Sequence, residues 1–181
     1  DDPAIHEQVL KKTLEIARTM DMKQPPPAMS RHLHCHIREL TGIEDPYREV
    51  KDRFNRFILE LYPQLKAHVD RSSSPFETAT RLAIAGNIID FGVKSTLEKA
   101  QVQEAVDHAL TAPLNGEIDT FFNETQKARE ILYIADNAGE IVFDKLLLEQ
   151  LPRGRVTFVV RGAPIINDAT MRDAKEAGIP D

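Results

Sequence analysis

The chain has 181 residues, of which 41% are hydrophobic and 29% are charged, a mixture typical of globular proteins rather than of fibres or low-complexity segments. Its 29 acidic and 23 basic residues give a formal net charge of -6, which argues against nonspecific binding to nucleic acid, because such binding needs basic residues that neutralise phosphates. No stretch approaches the roughly 20 consecutive apolar residues that cross a bilayer, and the single cysteine excludes an internal disulfide. We therefore expect a cytoplasmic protein without membrane or nucleic-acid partners.

Two helices are predicted at the start of the chain. Asp2 and Pro3 are typical of the cap and the first position of a helix, and apolar residues follow at helical spacing up to Met20. Three consecutive prolines then interrupt the pattern. A second apolar stripe ends at Gly42, which can adopt the left-handed conformation that terminates helices.

The third predicted helix has the strongest apolar face. Asp45-Pro46 repeats the start signal, and apolar residues recur at helical spacing from Tyr47 to Leu61. We expect this helix to end before Pro63, since proline interrupts helical hydrogen bonding. Lys51 and Asn55 lie opposite the apolar face, and the pattern favours a solvent-facing position for both.

A fourth helix is predicted after the loop Ser72 to Pro75, and it is apolar on nearly all sides from Leu82 to Asp90. Such a helix is expected to be buried, so its polar residues Asn87 and Asp90 need partners. They either bond to the backbone of a neighbouring layer or form the wall of a metal and substrate pocket. Ser95 and Glu98 form a capping-box pattern that begins the next helix.

The pattern changes after a short helix that follows residue 115. Ile131 to Ala135 and Arg155 to Val160 are apolar runs typical of buried parallel strands. Each precedes a predicted helix, from Glu140 to Leu151 and from Asp168 to Ala177. This alternation predicts an α/β sheet with right-handed crossovers. Because two strands cannot complete such a layer, we expect further strands beyond Asp181 or from another chain.

The motif Asp136-Asn137-Ala138-Gly139-Glu140 lies where the first strand gives way to a helix. Ligands of open α/β sheets bind at the carboxyl ends of strands, and a helix N-terminus offers amides to a phosphate. Asp136 and Asn137 supply the hard oxygen atoms that Mg²⁺ or Mn²⁺ prefers. The alternative interpretation is a polar turn that caps the helix.

A second motif, Arg161 to Thr170, follows the second strand. Parallel neighbouring strands would bring it beside Asp136, so that Asp168 completes a metal site and Arg161 binds a phosphate. Alternatively, Asn167 or Asp168 is an ordinary cap of the last helix.

A group of possible soft-metal ligands, His32, His34, Cys35 and His36, lies in the second helix. Only His32 and His36 share a helical face, and no second ligand pair is evident. We expect structural or surface roles for these residues.

Four ordered motifs resemble the damage-control phosphatase family, also named the acidic-residue methyltransferase-like, metal-binding domain family. The chain is most similar to the small stand-alone prokaryotic branch of that family. The motifs are Asp45-Pro46-Tyr47 with Lys51 and Asn55, Gly86 to Asp90, Asp136 to Glu140 with Asp144, and Arg161-Gly162 through Asn167 to Thr170.

The resemblance implies a helical N-terminal subdomain packed on a Rossmann-like α/β/α layer of mainly parallel strands, truncated here at the C-terminus. Residues 1–115 would form the helical subdomain, and residues 116–181 would form the first part of the α/β metal-binding subdomain. A cysteine pair near the start and a later glycine- and asparagine-rich motif, both expected in this branch, would lie outside this chain.

The resemblance also implies a divalent-metal-dependent phosphatase that hydrolyses phosphate monoesters of small metabolites, such as sugar phosphates or damaged phosphometabolites. The metal would be Mg, Mn, Co or Ni. Its ligands would be Asp136, Asn137 and Asp168, with Asp136 and Asp168 as catalytic residues. The substrate-binding residues would be Asn87, Asp90, Glu140 and Arg161.

Several alternatives remain open at this stage. Asp136 could bind the metal that orients an attacking water, or it could itself be the nucleophile, although Ala138 stands where aspartyl-phosphate enzymes usually carry a second aspartate. An S-adenosylmethionine-dependent protein-carboxylate methyltransferase is a rival, but the first loop has only Gly139 where a glycine-rich run is expected. A non-catalytic metal- or phosphometabolite-binding module would use the same side chains. The sequence leaves the oligomeric state open.

Overall fold

The computed structural model describes residues 2–21, 23–89 and 99–179. Helices fill the first two thirds of this described part, and a small parallel sheet with two further helices follows. The elements are α1 (Pro3–Thr19), α2 (Pro26–Thr41), α3 (Arg48–Arg71), α4 (Pro75–Ile88), α5 (Lys99–Thr111), α6 (Ile118–Lys127), β1 (Ile131–Ile134), α7 (Glu140–Leu148), β2 (Val156–Val159) and α8 (Met171–Glu176). None of these helices has the length and apolarity needed to cross a membrane.

The ends of the first two helices follow the predicted signals. The side chain of Asp2 caps α1 by accepting a hydrogen bond of 2.9 Å from the amide of Ala4. Gly42 ends α2 with a φ of 68°, and its amide donates to the carbonyl of Arg38. Only glycine adopts this left-handed conformation without a steric cost. The predicted capping box of Ser95 and Glu98 lies outside the described residues.

Helix α3 continues through Pro63, so the prediction that it ends before this residue was wrong. Pro63 is exposed and costs the helix one backbone hydrogen bond. The second half nevertheless presents Leu65 and Val69, 4% and 1% exposed, on the same buried face as Phe54 and Ile58. Burial of these side chains stabilises the continued helix and outweighs the local cost of the proline.

Helix α4 packs closely against α7. A Cβ atom added to Gly86 would lie 2.9 Å from the Cβ of Phe143, so the two backbones approach where α4 has no side chain. The expectation that α4 is buried on nearly all sides was wrong for the described residues. One side is buried, whereas Ile84 and Ile88 on the other are 44% and 64% exposed.

Strands β1 and β2 pair in parallel, as predicted, with Ile131 opposite Val156 and Ile134 opposite Val159. Tyr133 points inward against the core. Leu132 and Ile134, however, are 65% and 73% exposed, so the prediction of burial on both faces was wrong for the described residues. The fold is thus the predicted α/β type. Rossmann-like layering stays a prediction, as does the division at residue 115.

The last helix begins later than predicted. Thr170 is the cap of α8, and the carboxylate of Asp173 accepts hydrogen bonds from the Thr170 amide and hydroxyl at 2.8 and 2.6 Å. The alternative interpretation of Asn167 or Asp168 as the cap was therefore wrong. Asp168 lies in the loop before α8, where its carboxylate is not needed to cap the helix.

Candidate metal and phosphate site

The loops after β1 and β2 meet through their backbones. The amide of Ala169 donates to the carbonyl of Asp136 at 2.7 Å, and the amide of Ala138 donates to the carbonyl of Asn167 at 2.9 Å. Asn137 and Asp168 form a bridge pair between these hydrogen bonds. The structure thus brings the three predicted metal ligands, Asp136, Asn137 and Asp168, to one edge of the sheet.

The second loop is also held by helix α2, a contact that sequence reasoning missed. The guanidinium of Arg38 donates to the carbonyl of Pro164 at 2.5 Å. Ile166 has a φ of 44°, a conformation that a β-branched side chain adopts only at an energetic cost. The amide of Asp168 donates to the carbonyl of Ile165 at 3.0 Å. These contacts stabilise the turn that precedes Asp168.

Glu140 holds two asparagine side chains in place. Its carboxylate is buried, and its two oxygens accept hydrogen bonds of 3.1 Å from the amide nitrogens of Asn87 and Asn137. An asparagine whose nitrogen donates to Glu140 presents its carbonyl oxygen as a possible metal ligand. Asn87 itself is exposed. Asp90, its predicted companion, lies outside the described residues.

Arg161 lies beside Asp168 at the mouth of this site. Its Nε donates to Oδ2 of Asp168 at 2.6 Å, and its side chain is 58% exposed while that of Asp168 is only 13% exposed. The guanidinium therefore neutralises part of the carboxylate charge and keeps further N–H donors directed to solvent.

The chemistry of the three predicted ligands suits a divalent cation. Two carboxylates and an amide oxygen are a hard donor set of the kind that Mg²⁺ and Mn²⁺ prefer. Asp136 is exposed, so a cation can reach it from solvent. Among the described residues, the carboxylates of Asp136, Asp168 and Glu140 outnumber the guanidinium that pairs with them, that of Arg161, and this excess of negative charge favours a cation.

The N-terminus of α7 is less available to an anion than the sequence indicates. Gly139 precedes α7 with a φ of 83°, and its amide donates to the side-chain oxygen of Asn55 at 2.7 Å. The amides of Ile141 and Val142 donate to backbone carbonyls at 3.2 Å. Three of the amides around this helix start are therefore already paired.

Lys51 and Asn55 are fully buried, so the expectation of a solvent-facing position was wrong. The Nζ of Lys51 lies 2.9 Å from the carboxylate of Asp173 and 3.2 Å from that of Asp45. Burial alone would raise the pKa of Asp173, but hydrogen bonds from Arg48, Thr170 and Lys51 lower it well below its usual range. Helix α8 thus covers the polar side of α3.

A second acidic group, distinct from the predicted ligands, lies between α3 and α8. Asp52, Asp173 and Glu176 bring carboxylate oxygens within 4.8 Å of one another, close enough to hold a metal ion. Arg48 forms ion pairs with all three, at 2.6 Å with Asp173 and 3.8 Å with Glu176. The arginine thus takes the place that a cation would occupy. Arg48 and Asp52 are four residues apart and therefore lie on one face of α3. This spacing is a signal in the sequence that the analysis of the apolar pattern left unused.

Asp144 is a buried carboxyl behind the first loop. Its pKa is raised to about 7. Burial is the largest cause, a hydrogen bond of 2.7 Å from the hydroxyl of Tyr133 acts in the opposite direction, and the Glu140 and Asp136 carboxylates add to the rise. A protonated Asp144 thereby limits the negative charge beside the site at acidic pH.

Two members of the histidine group in α2, His34 and Cys35, have the contacts of structural residues. His34 is buried against Tyr47, with ring centroids 5.6 Å apart, and burial lowers its pKa. Cys35 accepts a hydrogen bond from Arg38 at 3.2 Å. The only acidic, histidine or cysteine group that meets the distance criteria for a metal within the described ranges is that of Asp52, Asp173 and Glu176.

Comparisons with known proteins agree with the resemblance seen in the motifs. Residues 1–179 match the damage-control phosphatase ARMT1-like domain. A damage-control phosphatase from Archaeoglobus fulgidus is 35% identical over 187 residues, which cover 99% of this chain and 63% of that protein. An uncharacterized protein from Methanocaldococcus jannaschii is 31% identical over 189 residues, covering 99% of this chain and 61% of that protein.

The fold comparison gives the same result. The crystal structure of a DUF89 family protein from Pyrococcus horikoshii superposes with a TM-score of 0.80 at 30% identity, covering 99% of this chain and 63% of that one. The chain thus spans less than two thirds of the length of these relatives.

Proposed function

The chain belongs to the damage-control phosphatase ARMT1-like domain family, and from this premise we propose that it carries the metal site of a divalent-metal-dependent phosphatase for small phosphorylated metabolites. The observation that supports the proposal is the meeting of Asp136, Asn137 and Asp168 where the loops after β1 and β2 join. Sugar phosphates and damaged phosphometabolites are the substrate class that we propose.

Asp136, Asn137 and Asp168 would hold the metal through two carboxylates and one amide oxygen. When bound there, Mg, Mn, Co or Ni would polarise a phosphoryl oxygen and lower the pKa of a coordinated water. Glu140 acts behind these ligands, because its hydrogen bond orients the Asn137 amide.

Arg161 is the proposed phosphate-binding residue. Its guanidinium is largely exposed and already lies next to Asp168, so a phosphate ester held by the arginine would be close to the metal ligands. Because the amides at the start of α7 are mostly paired, Arg161 would neutralise more of the negative charge of the phosphate than the helix N-terminus would. Asn87, held by Glu140, stands at the α4 side of the same site. A substrate-binding role for Asp90 stays a prediction.

Attack by water is the mechanism that we propose. Ala138 is fully buried and provides no acid two positions after Asp136, where a covalent aspartyl-phosphate mechanism usually needs one. In the proposed mechanism Asp136 positions the reacting groups through its carboxylate and forms no bond to phosphorus.

The first loop argues against the rival methyltransferase. Close approach of a nucleotide cofactor needs exposed glycine backbone, whereas Ala138 and Gly139 are buried and the Gly139 amide is bound by Asn55. Tight binding of S-adenosylmethionine in calorimetry would reverse this ranking.

The decisive experiment measures phosphate release from sugar phosphates and an aryl phosphate, using the full-length gene product with Mg, Mn, Co, Ni or a chelator. We expect metal-dependent release that Asp136→Asn abolishes, because the substitution removes a ligand charge. Asp119→Asn, which removes an exposed carboxylate on α6, is the matched control and should behave like the unmodified protein.

Two outcomes would contradict the proposal. Normal turnover by Asp136→Asn would remove this residue from the site. Stabilisation of the folded protein by metal or phosphate esters, without release under any condition, would favour the binding-module interpretation.

A further inference from the structure

Asn55 connects the two loops of the proposed site from behind. Its side chain is fully buried. Its oxygen accepts a hydrogen bond of 2.7 Å from the amide of Gly139, and its nitrogen donates to the carboxylates of Asp173 at 3.2 Å and Glu176 at 3.4 Å. One side chain of α3 thus contacts both α7 and α8 through opposite ends of its amide group.

The contact with Gly139 fixes the end of the first loop. Gly139 lies two residues after Asn137, and its φ of 83° with ψ of -50° is a turn that glycine adopts without a side-chain penalty. A buried backbone amide without a hydrogen-bond partner destabilises the folded protein. The hydrogen bond from this amide to Asn55 therefore selects the turn that directs Asp136 and Asn137 toward the second loop.

The contact with Asp173 fixes the end of the second loop. Asp173 accepts hydrogen bonds from the amide and hydroxyl of Thr170, which lies two residues after Asp168. Lys51 and Arg48 neutralise the Asp173 carboxylate at 2.9 and 2.6 Å. The Asp173 carboxylate therefore has a fixed position, and it binds Thr170 on one side and Asn55 on the other.

Asparagine is chemically suited to this position. The site needs an acceptor for an N–H and a donor to a carboxylate within one short side chain. Aspartate would keep the acceptor but lose the donor, and it would place a further negative charge against Asp173 and Glu176. Leucine would remove both hydrogen bonds and leave the partners buried.

We propose that Asn55 is a positioning residue that couples the two loops, so that the separation of Asp136 and Asn137 from Asp168 suits a divalent cation. The inference rests on the proposed function. Asn55 itself touches neither metal nor substrate, and it acts through Gly139 on one loop and through Asp173 and Thr170 on the other.

The test compares Asn55→Asp and Asn55→Leu with Leu65→Ala, a variant that empties a buried position on the same helix without a hydrogen bond to either loop. Amide hydrogen exchange is measured over residues 136–140 and 167–173, and Mn²⁺ affinity is measured by titration. We expect faster exchange in both loops together and a loss of about tenfold or more in Mn²⁺ affinity for the Asn55 variants. Leu65→Ala should change neither beyond its effect on global stability.

Faster exchange in the first loop alone would overturn the coupling and reduce Asn55 to a cap of α7. Unchanged exchange and affinity would overturn the proposal altogether. If the unmodified protein binds no Mn²⁺ and releases no phosphate, the proposed function fails, and the exchange of the two loops decides the coupling by itself.

If neither Asn55 variant folds, Thr170→Val tests the same connection from its other end. This variant deletes the hydroxyl that donates to Asp173 and keeps the backbone amide. The coupling predicts faster exchange at Gly139, on the far side of Asn55. Loosening confined to residues 167–173 would contradict it.

Discussion

Two groups of acidic residues in the described part of the chain differ in what already neutralises them. Between α3 and α8, Asp52, Asp173 and Glu176 all pair with Arg48. At the ends of β1 and β2, Asp168 pairs with the exposed Arg161, and Asp136 forms no ion pair with any of the described residues. Similar side chains thus form a closed ion network in one place and an open, negatively charged site in the other.

The difference shows that the proximity of carboxylates is not sufficient evidence for a metal site. Among the described residues, the one cluster that meets the distance criterion for a metal ion has its charge compensated by protein cations, and a metal ion would have to displace them. The loop site has a carboxylate at Asp136 that solvent can reach and an amide at Asn137 already oriented by Glu140. A site that can bind an ion is distinguished by carboxylates that no protein cation neutralises, and the number of carboxylates matters less.

The largest effect that would test this contrast is expected at Lys51. Lys51→Met should lower the free energy of unfolding by about 3 to 5 kcal/mol, because it leaves the buried Asp173 carboxylate without one of its cations. Urea unfolding measures the loss. Lys66→Met is the matched control, since Lys66 also pairs with two carboxylates but is 39% exposed, and it should cost less than about 1 kcal/mol. Equal losses would show that the buried network is no stronger than a surface ion pair.

A second effect is expected from Asp144, and it depends on pH. The carboxyl ionises near pH 4 in the unfolded chain, whereas burial raises the pKa in the native protein to about 7. The native state then binds the extra proton between these values, so stability falls as pH rises through this window, by up to about 1.4 kcal/mol per pH unit.

Asp144→Asn removes this dependence. In metal-free protein it should be more stable than the unmodified chain above pH 7 and similar to it near pH 4, as measured by urea unfolding across the range. Asp119→Asn, at an exposed position, should leave the pH profile unchanged. Parallel profiles for the Asp144 variant and the unmodified protein would show that Asp144 ionises at its ordinary pH.

The smallest effect is expected at Arg161, and it distinguishes an arginine that binds phosphate from one that only neutralises a carboxylate. Arg161→Gln should raise KM for a phosphate ester about tenfold, the loss of one charge-assisted contact, with a smaller change in kcat. Mn²⁺ binding should not weaken, because the guanidinium competes with a cation for Asp168. Arg172→Gln, a similarly exposed arginine that pairs with Asp52, is the control. Weaker Mn²⁺ binding in Arg161→Gln would contradict the proposed role.

The sequence predicted the elements and the strand-end motifs because these depend on local patterns. The apolar runs of β1 and β2 and the residues at the strand ends predicted that the loops carrying Asp136 and Asp168 meet, since neighbouring parallel strands end at the same edge. The helix signals at Asp2 and Gly42 were equally local. These predictions needed no knowledge of distant contacts.

The burial of Lys51 and Asn55 could not be predicted in this way. A polar stripe opposite an apolar face is compatible either with water or with polar partners from another element, and here the partner Asp173 is more than a hundred residues away in the chain. Pro63 was misinterpreted for a related reason. The local cost of the proline was evident, whereas the tertiary burial of Leu65 and Val69 that offsets it was not.

The close approach at Gly86 makes this position important without any side chain. A methyl group there would meet Phe143 at 2.9 Å and push α4 away from α7, carrying the adjacent Asn87 away from Glu140. In a random mutagenesis screen for lost activity, we therefore expect substitutions at Gly86 to be recovered alongside those of the reacting residues. A glycine that binds neither metal nor substrate would then score as an apparent active-site residue, because the close helix spacing that it permits is what places Asn87 beside Glu140.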